Sequence, residues 1–376
     1  MTPPESTSPA PTSPVEIVEA TVPADLDAAD AWPLHGAAAV SRACEVEIHA
    51  NTDLALDAAT ARATMLAPEY RLVRRLVAVT AGSRSADAVV GQAMIGLPQV
   101  GNSHTARVFV GVHPAHRRQG VGTALAEAAL GVVRASGRRL LLSDAAFSPE
   151  PPPGPRAIEA PTGSGRVPLD DDTTQFILAQ SMTLEQVARH SVLDLPVPPA
   201  LLGALHDDAL TAAGPDYRVH VWQVDPPAGW LDSMAVLKTR MSTDAPSGDV
   251  DLEEDPWDAA RVLAAATDIR ERGQGRVVVA AEHIPSGTLV AYTEVAFPLD
   301  APEVVFQNDT LVLREHRGHR LGMLVKTALL TELARVGPAA ERIHTWNAAE
   351  NAHMLAINIA LGFRTASVEA EWSRDL

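Results

Sequence analysis

The sequence predicts an α/β protein of the α+β kind, in which two similar domains follow one another in a chain of 376 residues. Residues 108–130 have the pattern of a short apolar strand, a glycine-containing loop and an amphipathic helix. The same pattern returns in residues 310–333, where His316 aligns with His116 of the first copy. Because strands and helices also follow in a similar order around both copies, the sequence indicates an internal duplication.

Composition and charge narrow the classes of partner. The chain is 46% hydrophobic, enough for two or three domains with separate cores, and its formal net charge is −17. Since this charge leaves no basic surface to neutralise phosphates, nucleic acids and anionic membranes are not expected partners, whereas a small cationic molecule is. The oligomeric state is not indicated by the sequence.

The single cysteine and the composition of the first residues predict the cellular location of the protein. Cys44 is the only cysteine, so the sequence predicts no internal disulfide, no cysteine-rich metal site and a cytoplasmic protein. Residues 1–14 are rich in Pro, Ser and Thr and have neither a positive segment nor an apolar run. We therefore expect a disordered tail there, not a signal peptide or an anchor.

Apolar runs and their breaks predict the elements of the first half. In chain order these are a strand over 15–22, helical sequence over 28–64, strands over 70–80 and 88–97, the strand, loop and helix of 108–130, and a strand over 138–144. A long loop without regular structure over 148–168, a helix over 173–180, a closing strand pair over 183–195 and a linker at 196–199 complete it.

The second half repeats this order. Its predicted elements are strand 217–223, helices 230–241 and 255–272, strands 277–282, 289–297 and 304–313, the loop and helix, strand 342–346, helix 353–360 and strand 365–372. The predicted domain boundaries are accordingly 15–199 and 215–376, with a linker over 200–214.

The loop from Arg117 to Gly122 has the composition of an anion cradle. The first turn of a helix presents free N–H groups and the positive end of its dipole, and Gly120 and Gly122 allow a phosphate to approach the backbone. The third glycine of the dinucleotide-binding pattern and the Gly-Lys-Ser/Thr of the P-loop are absent, so neither class is indicated. The alternative is an ordinary strand-to-helix turn with surface arginines.

This loop resembles the signature Gln/Arg-x-x-Gly-x-Gly/Ala of the GCN5-related N-acetyltransferases (GNAT), with Arg117, Gly120 and Gly122 at its three defined places. The resemblance implies two tandem GNAT folds, each with a mixed, mostly antiparallel central sheet flanked by helices. It also implies that the loop holds the diphosphate of acetyl-CoA and that the preceding strand pairs with the pantetheine arm. Two such domains in one chain, one of them divergent, resemble the architecture of the mycothiol synthases.

The resemblance assigns acetyl-CoA-binding residues in both halves, and no metal. In the first half they are Val110, Val112, Arg117, Arg118, Gln119, Gly120, Gly122 and Thr123. In the second half they are Val312, Arg317, Gly318, Arg320, Gly322 and Asn351.

Three positions depart from the family pattern. Arg320 stands at the place of the first loop glycine, where its side chain must be accommodated beside the diphosphate. Ile177 and Asn358 stand where the family usually has a tyrosine that acts as general acid. An amide can donate a hydrogen bond to a thiolate but cannot protonate it.

Glu294, Asp309 and Asn358 are the predicted catalytic residues, all in the second half. Amine acetylation needs a base for the ammonium, and Glu294 and Asp309 lie on predicted core strands where the family usually places that base. Either carboxylate has the alternative of being solvated on the outer face of the sheet. His344 and Trp346 line the acceptor cleft or pack on the sheet.

Two functions remain open from the sequence. The first is acetylation of a small amine by acetyl-CoA. The second is a CoA-binding or sensor protein whose active sites have decayed, as Ile177 and Asn358 would allow. Six acidic residues within 249–258 favour a cationic acceptor through electrostatic steering, although acidic residues before a helix also serve as caps, with Asp255 a candidate.

Overall fold

The computed structural model describes residues 15–66, 69–244, 246, 248 and 250–376. These residues form two compact units. The first comprises the described residues up to Leu97, Ala106–Arg139 and Leu376, and the second comprises Pro98–Thr105 and Leu140–Asp375. The predicted disordered tail, residues 1–14, lies outside the described residues. The domain boundaries predicted at 199 and 215 stay a prediction about the sequence repeats, because the compact units divide the chain elsewhere.

The first unit contains the strands that precede the first loop. They lie side by side in the order β1 (Val15–Glu19), β2 (Arg71–Thr80), β3 (Val89–Pro98) and β4 (Thr105–Val112). Its helices are α1 (Trp32–His49), α2 (Ala58–Leu66) and α3 (Val121–Ala135). The helical stretch predicted over 28–64 is thus two helices. The first ends at Ala50, whose left-handed backbone (φ 58°) terminates it.

The second unit carries a sheet whose described strands lie in the order β5 (Leu140–Phe147), β14 (Arg364–Asp375), β8 (Thr183–Asp194), β13 (Arg342–Ala348), β12 (Val304–Val312), β11 (Thr288–Pro298), β10 (Gln274–His283) and β9 (Tyr217–Gln223). The pair β12 and β13 is parallel, whereas the neighbouring pairs are antiparallel. The helices of this unit are α4 (Asp172–Ala179), α5 (Pro199–Ala213), α6 (Leu231–Asp244), α7 (Ala259–Glu271), α8 (Leu321–Val336) and α9 (Ala352–Leu361).

The closing strands of the two sequence halves are interleaved. The closing strand pair predicted over 183–195 is wrong, because these residues form the single 12-residue strand β8. That strand lies between β13 and β14, and β14 in turn lies between β8 and β5. Strands from both halves therefore satisfy one another's backbone hydrogen bonds.

Two segments predicted to lack regular structure contain some. Residues 148–168 include the hairpin β6 (Ala157–Glu159) and β7 (Arg166–Pro168), which is closed through Gly163 and Gly165 with positive φ. Residues 200–214 are largely the helix α5, which begins with Pro199 and buries Ala209 and Ala213 against the larger core.

The sheet of the second unit separates two apolar clusters. One side packs on α8 and α5 through Val277, Val279 and Val295. The other side packs on α6 and α7 through Val278 and Tyr292. Residue alternation along the strands assigns each side chain to one face, which decides below which polar groups share a site. Among the described residues, no helix is long and apolar enough to cross a membrane.

Candidate functional site

The two loops share one backbone conformation. Arg118 and Gly318 have φ of 60° and 89°, and Gly120 and Arg320 have φ of 83° and 55°. Each copy is therefore left-handed at the same two positions, and each has a glycine at only one of them. A left-handed residue other than glycine costs about 1–2 kcal/mol. Arg320 thus keeps the turn that its glycine counterpart makes, at an energetic cost.

The loop arginines brace the loops against neighbouring helices. Arg117 donates from Nε to the carbonyl of the last residue of β4 (3.3 Å), and its Nη2 lies 2.5 Å from Glu47 at the end of α1. Arg317 repeats this, with 3.2 Å to the last carbonyl of β12 and 2.8 Å to Asp244 at the end of α6. Both side chains hold the loop in place, and the N–H groups of the helix starts are available as donors for an anion.

Other predicted acetyl-CoA ligands have structural contacts. Gln119 donates its amide to the carbonyl of Ala115 at 3.3 Å. A Cβ at Gly120 would meet nothing within 4 Å, whereas one at Gly322 would approach Ile357 to 3.1 Å, so Gly322 allows α8 to pack on α9. Asn351 caps α9 by accepting from the N–H of Met354 at 3.2 Å. Their roles as ligands stay predictions.

Strands β12 and β13 separate part of the way along. Their parallel pairing begins at Val304 with Arg342 and ends at Gln307 with Thr345. Beyond that pair β12 continues to Val312 and β13 to Ala348 with no described pairing between them. The result is a V-shaped opening whose wall on one side is residues 308–312 of β12. Backbone groups on such a wall are able to pair with an extended ligand as a further strand would.

A β-bulge at this opening brings the two candidate bases together. Thr293 pairs with Thr310 and Val295 pairs with Gln307, so Asn308 and Asp309 on β12 together face Glu294 on β11. A bulge re-aims a side chain at the place where it interrupts the ladder. In the first unit, β3 and β4 pair in regular register without a bulge.

Lys238 joins the two carboxylates. Its Nζ, from α6, donates to Glu294 Oε1 and to Asp309 Oδ2, both at 2.7 Å. Tyr292 donates its hydroxyl to the same Asp309 oxygen at 2.8 Å. The ammonium lies 4.9 Å from the centre of the Tyr292 ring and 5.7 Å from that of Trp257. We call Lys238, Glu294, Asp309 and Tyr292 the carboxylate cluster.

Opposite charges within the carboxylate cluster shift the pKa values of Lys238 and Asp309. Burial lowers the pKa of the Lys238 ammonium, but the charges of Asp309 and Glu294 outweigh burial and raise it. Burial likewise raises the pKa of Asp309, and Lys238 and Tyr292 outweigh it and lower that pKa. Glu294 Oε2 is buried without a described hydrogen-bond partner. This buried oxygen is therefore available to accept a proton or an N–H group.

Residues 56–146 match the model of the acetyltransferase (GNAT) family. A tandem GNAT protein from the clavulanic acid biosynthesis pathway, in a structure without AcCoA, is 24% identical over 96% of this chain and 98% of its own, with a TM-score of 0.68. The chain has a tandem GNAT fold. A GCN5-related N-acetyltransferase from Sphaerobacter thermophilus (12% identity, 96% and 95% covered, TM-score 0.55) is also similar. A putative acetyltransferase from Pyrococcus horikoshii matches at 12% identity and a TM-score of 0.53, over 97% and 90% of the two chains. No curated protein is significantly similar in sequence.

The match to the acetyltransferase (GNAT) family supports an acyl-transfer function for the first half, where the matched residues lie. The likeness of the whole chain to solved structures supports its fold. The predicted resemblance to GNAT proteins and the predicted fold class are thereby confirmed. The opening, the bulge and the carboxylate cluster lie in the second half.

A second polar group surrounds the position of the family's tyrosine. Asn358 accepts from Lys326 Nζ at 2.9 Å and donates to Asn347 Oδ1 at 2.6 Å. Lys326 Nζ also lies 3.4 Å from Gln307 Oε1. Burial lowers the pKa of Lys326 to about 7. The sequence analysis missed both Lys238 and Lys326, although they are the only lysines in the chain, which is the signal that singles them out.

His344 and Trp346 pack against His190 of the neighbouring strand β8. His344 Nδ1 lies 2.9 Å from His190 Nε2, and the other nitrogen of His190 lies 2.8 Å from the Ser367 hydroxyl. Trp346 stacks on His190 with 4.7 Å between ring centres. Of the two interpretations that the sequence allowed for His344 and Trp346, these contacts favour packing.

The acidic segment after α6 divides into structural and exposed carboxylates. Asp258, and not Asp255, caps α7, accepting from the N–H of Arg261 at 2.7 Å. Asp255 instead forms a two-pronged ion pair with the Arg261 guanidinium, at 2.6 and 2.9 Å. Asp251 and Glu253 have side chains that are 89% and 62% exposed. Asp249 lies outside the described residues.

Proposed function

We propose that this chain is an acetyl-CoA-dependent N-acetyltransferase of a small amine, and that the second half carries out the reaction. The observation that carries the proposal is the free oxygen Glu294 Oε2 beside the opening between β12 and β13. Glu294 and Asp309 lie at that opening because of the bulge, and the Lys238 ammonium donates a hydrogen bond to each of them. The opening supplies a place for the thioester, and the carboxylate supplies the base.

Acetyl-CoA would lie with its diphosphate at the first turn of α8 and its pantetheine arm along residues 308–312. The helix dipole and free N–H groups favour the diphosphate, and backbone N–H groups of β12 polarise the thioester carbonyl. Glu294 Oε2 accepts the proton of the acceptor amine, while Lys238 fixes the position of the other carboxylate oxygen. We propose that the first loop, which keeps Gly120, binds a second acetyl-CoA.

The acceptor in this proposal is a small cationic amine, without nucleic acid or membrane as partners. The exposed carboxylates Asp251, Glu253 and Glu254 raise the concentration of cations near the second unit over about 10 Å at 0.1 M salt. Changing the three to amides is therefore expected to lower kcat/KM and its salt dependence, with kcat unchanged. A kcat/KM indifferent to both salt and the substitutions refutes steering. The cytoplasmic location predicted from the single cysteine stays a prediction.

The test is release of free CoA from acetyl-CoA in the presence of putrescine, glucosamine and an amino acid amide, followed with a thiol reagent. Glu294→Gln is expected to abolish most of the release, since the amide keeps the shape but accepts no proton. Glu341→Gln, at a carboxylate that is 68% exposed, is the matched control and is expected to react at the parental rate. Binding of acetyl-CoA without CoA release would favour the alternative function, a CoA sensor.

A further inference from the structure

Lys326 is a buried lysine without a counter-charge. The residue is 2% exposed, and no described carboxylate lies within ion-pair distance of it. Its Nζ instead contacts two amide oxygens, of Asn358 and Gln307, and lies 5.3 Å from the centre of the Phe363 ring. A buried amine in such surroundings is costly as a cation, and structures retain few of them without a use for the proton.

Lys326 lies at the narrow end of the V-shaped opening. Its partner Gln307 belongs to the last pair that joins β12 to β13. Its other partner, Asn358, stands at the position where the family pattern places its acid. Both contacts therefore place the Lys326 amine at the inner end of the path proposed for the pantetheine arm. That path enters at the loop before α8 and follows residues 308–312.

We infer that Lys326 is the proton donor to the CoA thiolate in the second half, in place of the tyrosine that Asn358 replaces. This inference rests on the proposed function. The acceptor ammonium first loses one proton to solvent; in the step, the neutral nitrogen bonds to the acetyl carbon and gives a second proton to Glu294. The C–S bond breaks with its electron pair on sulfur, and the thiolate takes a proton from Lys326 Nζ. Lys326 then regains a proton from solvent as Glu294 releases one, so no other reactant is required.

The chemistry of the two groups makes this transfer downhill. An ordinary lysine, with a pKa near 10.4, holds its proton more tightly than a thiol with a pKa near 8.5. Burial lowers the pKa of Lys326 to about 7, which reverses that order. A donor with a pKa close to the working pH is also the most effective general acid.

The groups that face Lys326 do not oppose this assignment. They are Gln307 from β12, Asn358 from α9 and Phe363 from the segment after it, all uncharged. His206 of α5 contacts the neighbouring residue Thr327, at 3.0 Å. The side chains of Glu294, Asp309 and Lys238 lie on the face of the sheet that packs on α6, away from α8.

The first test needs no acceptor. Because the chain has only two lysines, protein labelled with ¹³C at lysine Cε gives two signals, and Lys326→Met removes one of them. The Lys326 signal is expected to titrate at about pH 7, whereas that of Lys238, whose pKa is raised, stays in the protonated position beyond pH 9. A Lys326 signal that does not change between about pH 6 and 9 overturns the inference.

The second test uses the amine of the panel that gives the fastest CoA release. For the parental chain, kcat is expected to fall as pH rises through about 7. Lys326→Met is expected to lower kcat about 100-fold and to remove this fall, as loss of a general acid does. Asn358→Asp places a carboxylate beside the amine, raises its pKa and moves the fall to higher pH. Leu324→Met, at a buried position of the same helix, is the control.

The outcomes separate the two proposals. A parental chain that releases no CoA with any amine overturns the proposed function and this role with it. A chain that releases CoA, but whose Lys326→Met variant keeps the parental rate and pH profile, overturns the role of Lys326 alone.

Discussion

Gly120 and Arg320 occupy equivalent left-handed positions, with φ of 83° and 55°, immediately before α3 and α8. Gly120 adopts the left-handed backbone without strain, whereas Arg320 does so at an energetic cost. The conformation is nevertheless the same, because the turn is fixed by the strand that enters it and the helix that leaves it. The two copies therefore allow one backbone position to be tested in both directions.

Gly120→Ala is expected to destabilise the chain, and Arg320→Gly to stabilise it, each by about 1 kcal/mol. At Gly120 an added Cβ meets nothing within 4 Å, so the cost comes from the backbone alone. Urea unfolding measures both changes. Arg314→Gly, outside the left-handed positions, is the control and is expected to be neutral or destabilising. Equal signs for Gly120→Ala and Arg320→Gly would contradict the shared strain.

Local signals made the loops and the repeat predictable from the sequence. Glycine positions, apolar runs and helical periodicity all act within about twenty residues, and they located the strand, loop and helix of 108–130 and 310–333. Most helices and strands of the second half followed from the same periodicity. The left-handed turn at Arg320 shows that the repeat carried the conformation even where the glycine was lost.

Long-range pairing was beyond the reach of these signals. Strand β8 lies between β13 and β14, and nothing in its own residues indicates a partner more than 150 positions away. Glu294 and Asp309 were predicted separately, but Lys238 joins them from a helix, and burial of a lysine has no signature in the local pattern. The site was thus half predictable: its carboxylates from the strands on which the resembled family carries its base, and the positions of its two lysines only from the fold.

Removal of the Lys238 ammonium is expected to destabilise the second unit strongly. Lys238→Met removes the ammonium that bonds both the buried Glu294 and the half-buried Asp309, and leaves Arg276 as the charge that interacts with Glu294. Removal of one partner from a buried ion pair costs up to about 3–5 kcal/mol. Arg240→Met, at an exposed position of the same helix, is the control, with an expected change within about 0.5 kcal/mol. A loss of less than about 1 kcal/mol would mean that the cluster does not hold these charges together.

The free energy of unfolding that Lys238→Met removes is expected to depend on pH. In the parental chain the pKa of Asp309 is lowered, so its stabilisation is present above the unfolded value near 3.9 and is lost as pH falls further. Without Lys238, Asp309 loses the charge that lowers its pKa and faces the Glu294 carboxylate, so the pKa of Asp309 rises. The variant should therefore lose stability as pH rises and regain it as pH falls, which urea unfolding between pH 5 and pH 8 would measure.

Lys326 is expected to destabilise the fold at neutral pH. Its folded pKa, about 7, lies below the unfolded value near 10.4, so between these values the unfolded chain binds more protons and stability rises with pH. The cost is complete below pH 7, at up to about 5 kcal/mol. Lys326→Met should therefore unfold at higher urea than the parental chain at pH 6, and the difference should shrink by pH 9. A difference independent of pH would contradict the lowered pKa.

The last prediction concerns how many acetyl-CoA molecules the chain binds. Titration calorimetry of the full chain is expected to give two sites, one at each loop. Gly120→Asp places a carboxylate at the first turn of α3, where it repels the diphosphate that the helix dipole would attract, so one site should be lost. Gly120→Asn is the matched control, since both side chains tolerate a left-handed backbone and the space beside Gly120 is open, but the amide carries no charge. Two sites are expected to remain in it. If Gly120→Asp also keeps two sites of parental affinity, the first loop does not hold the diphosphate, and its glycine serves only the turn.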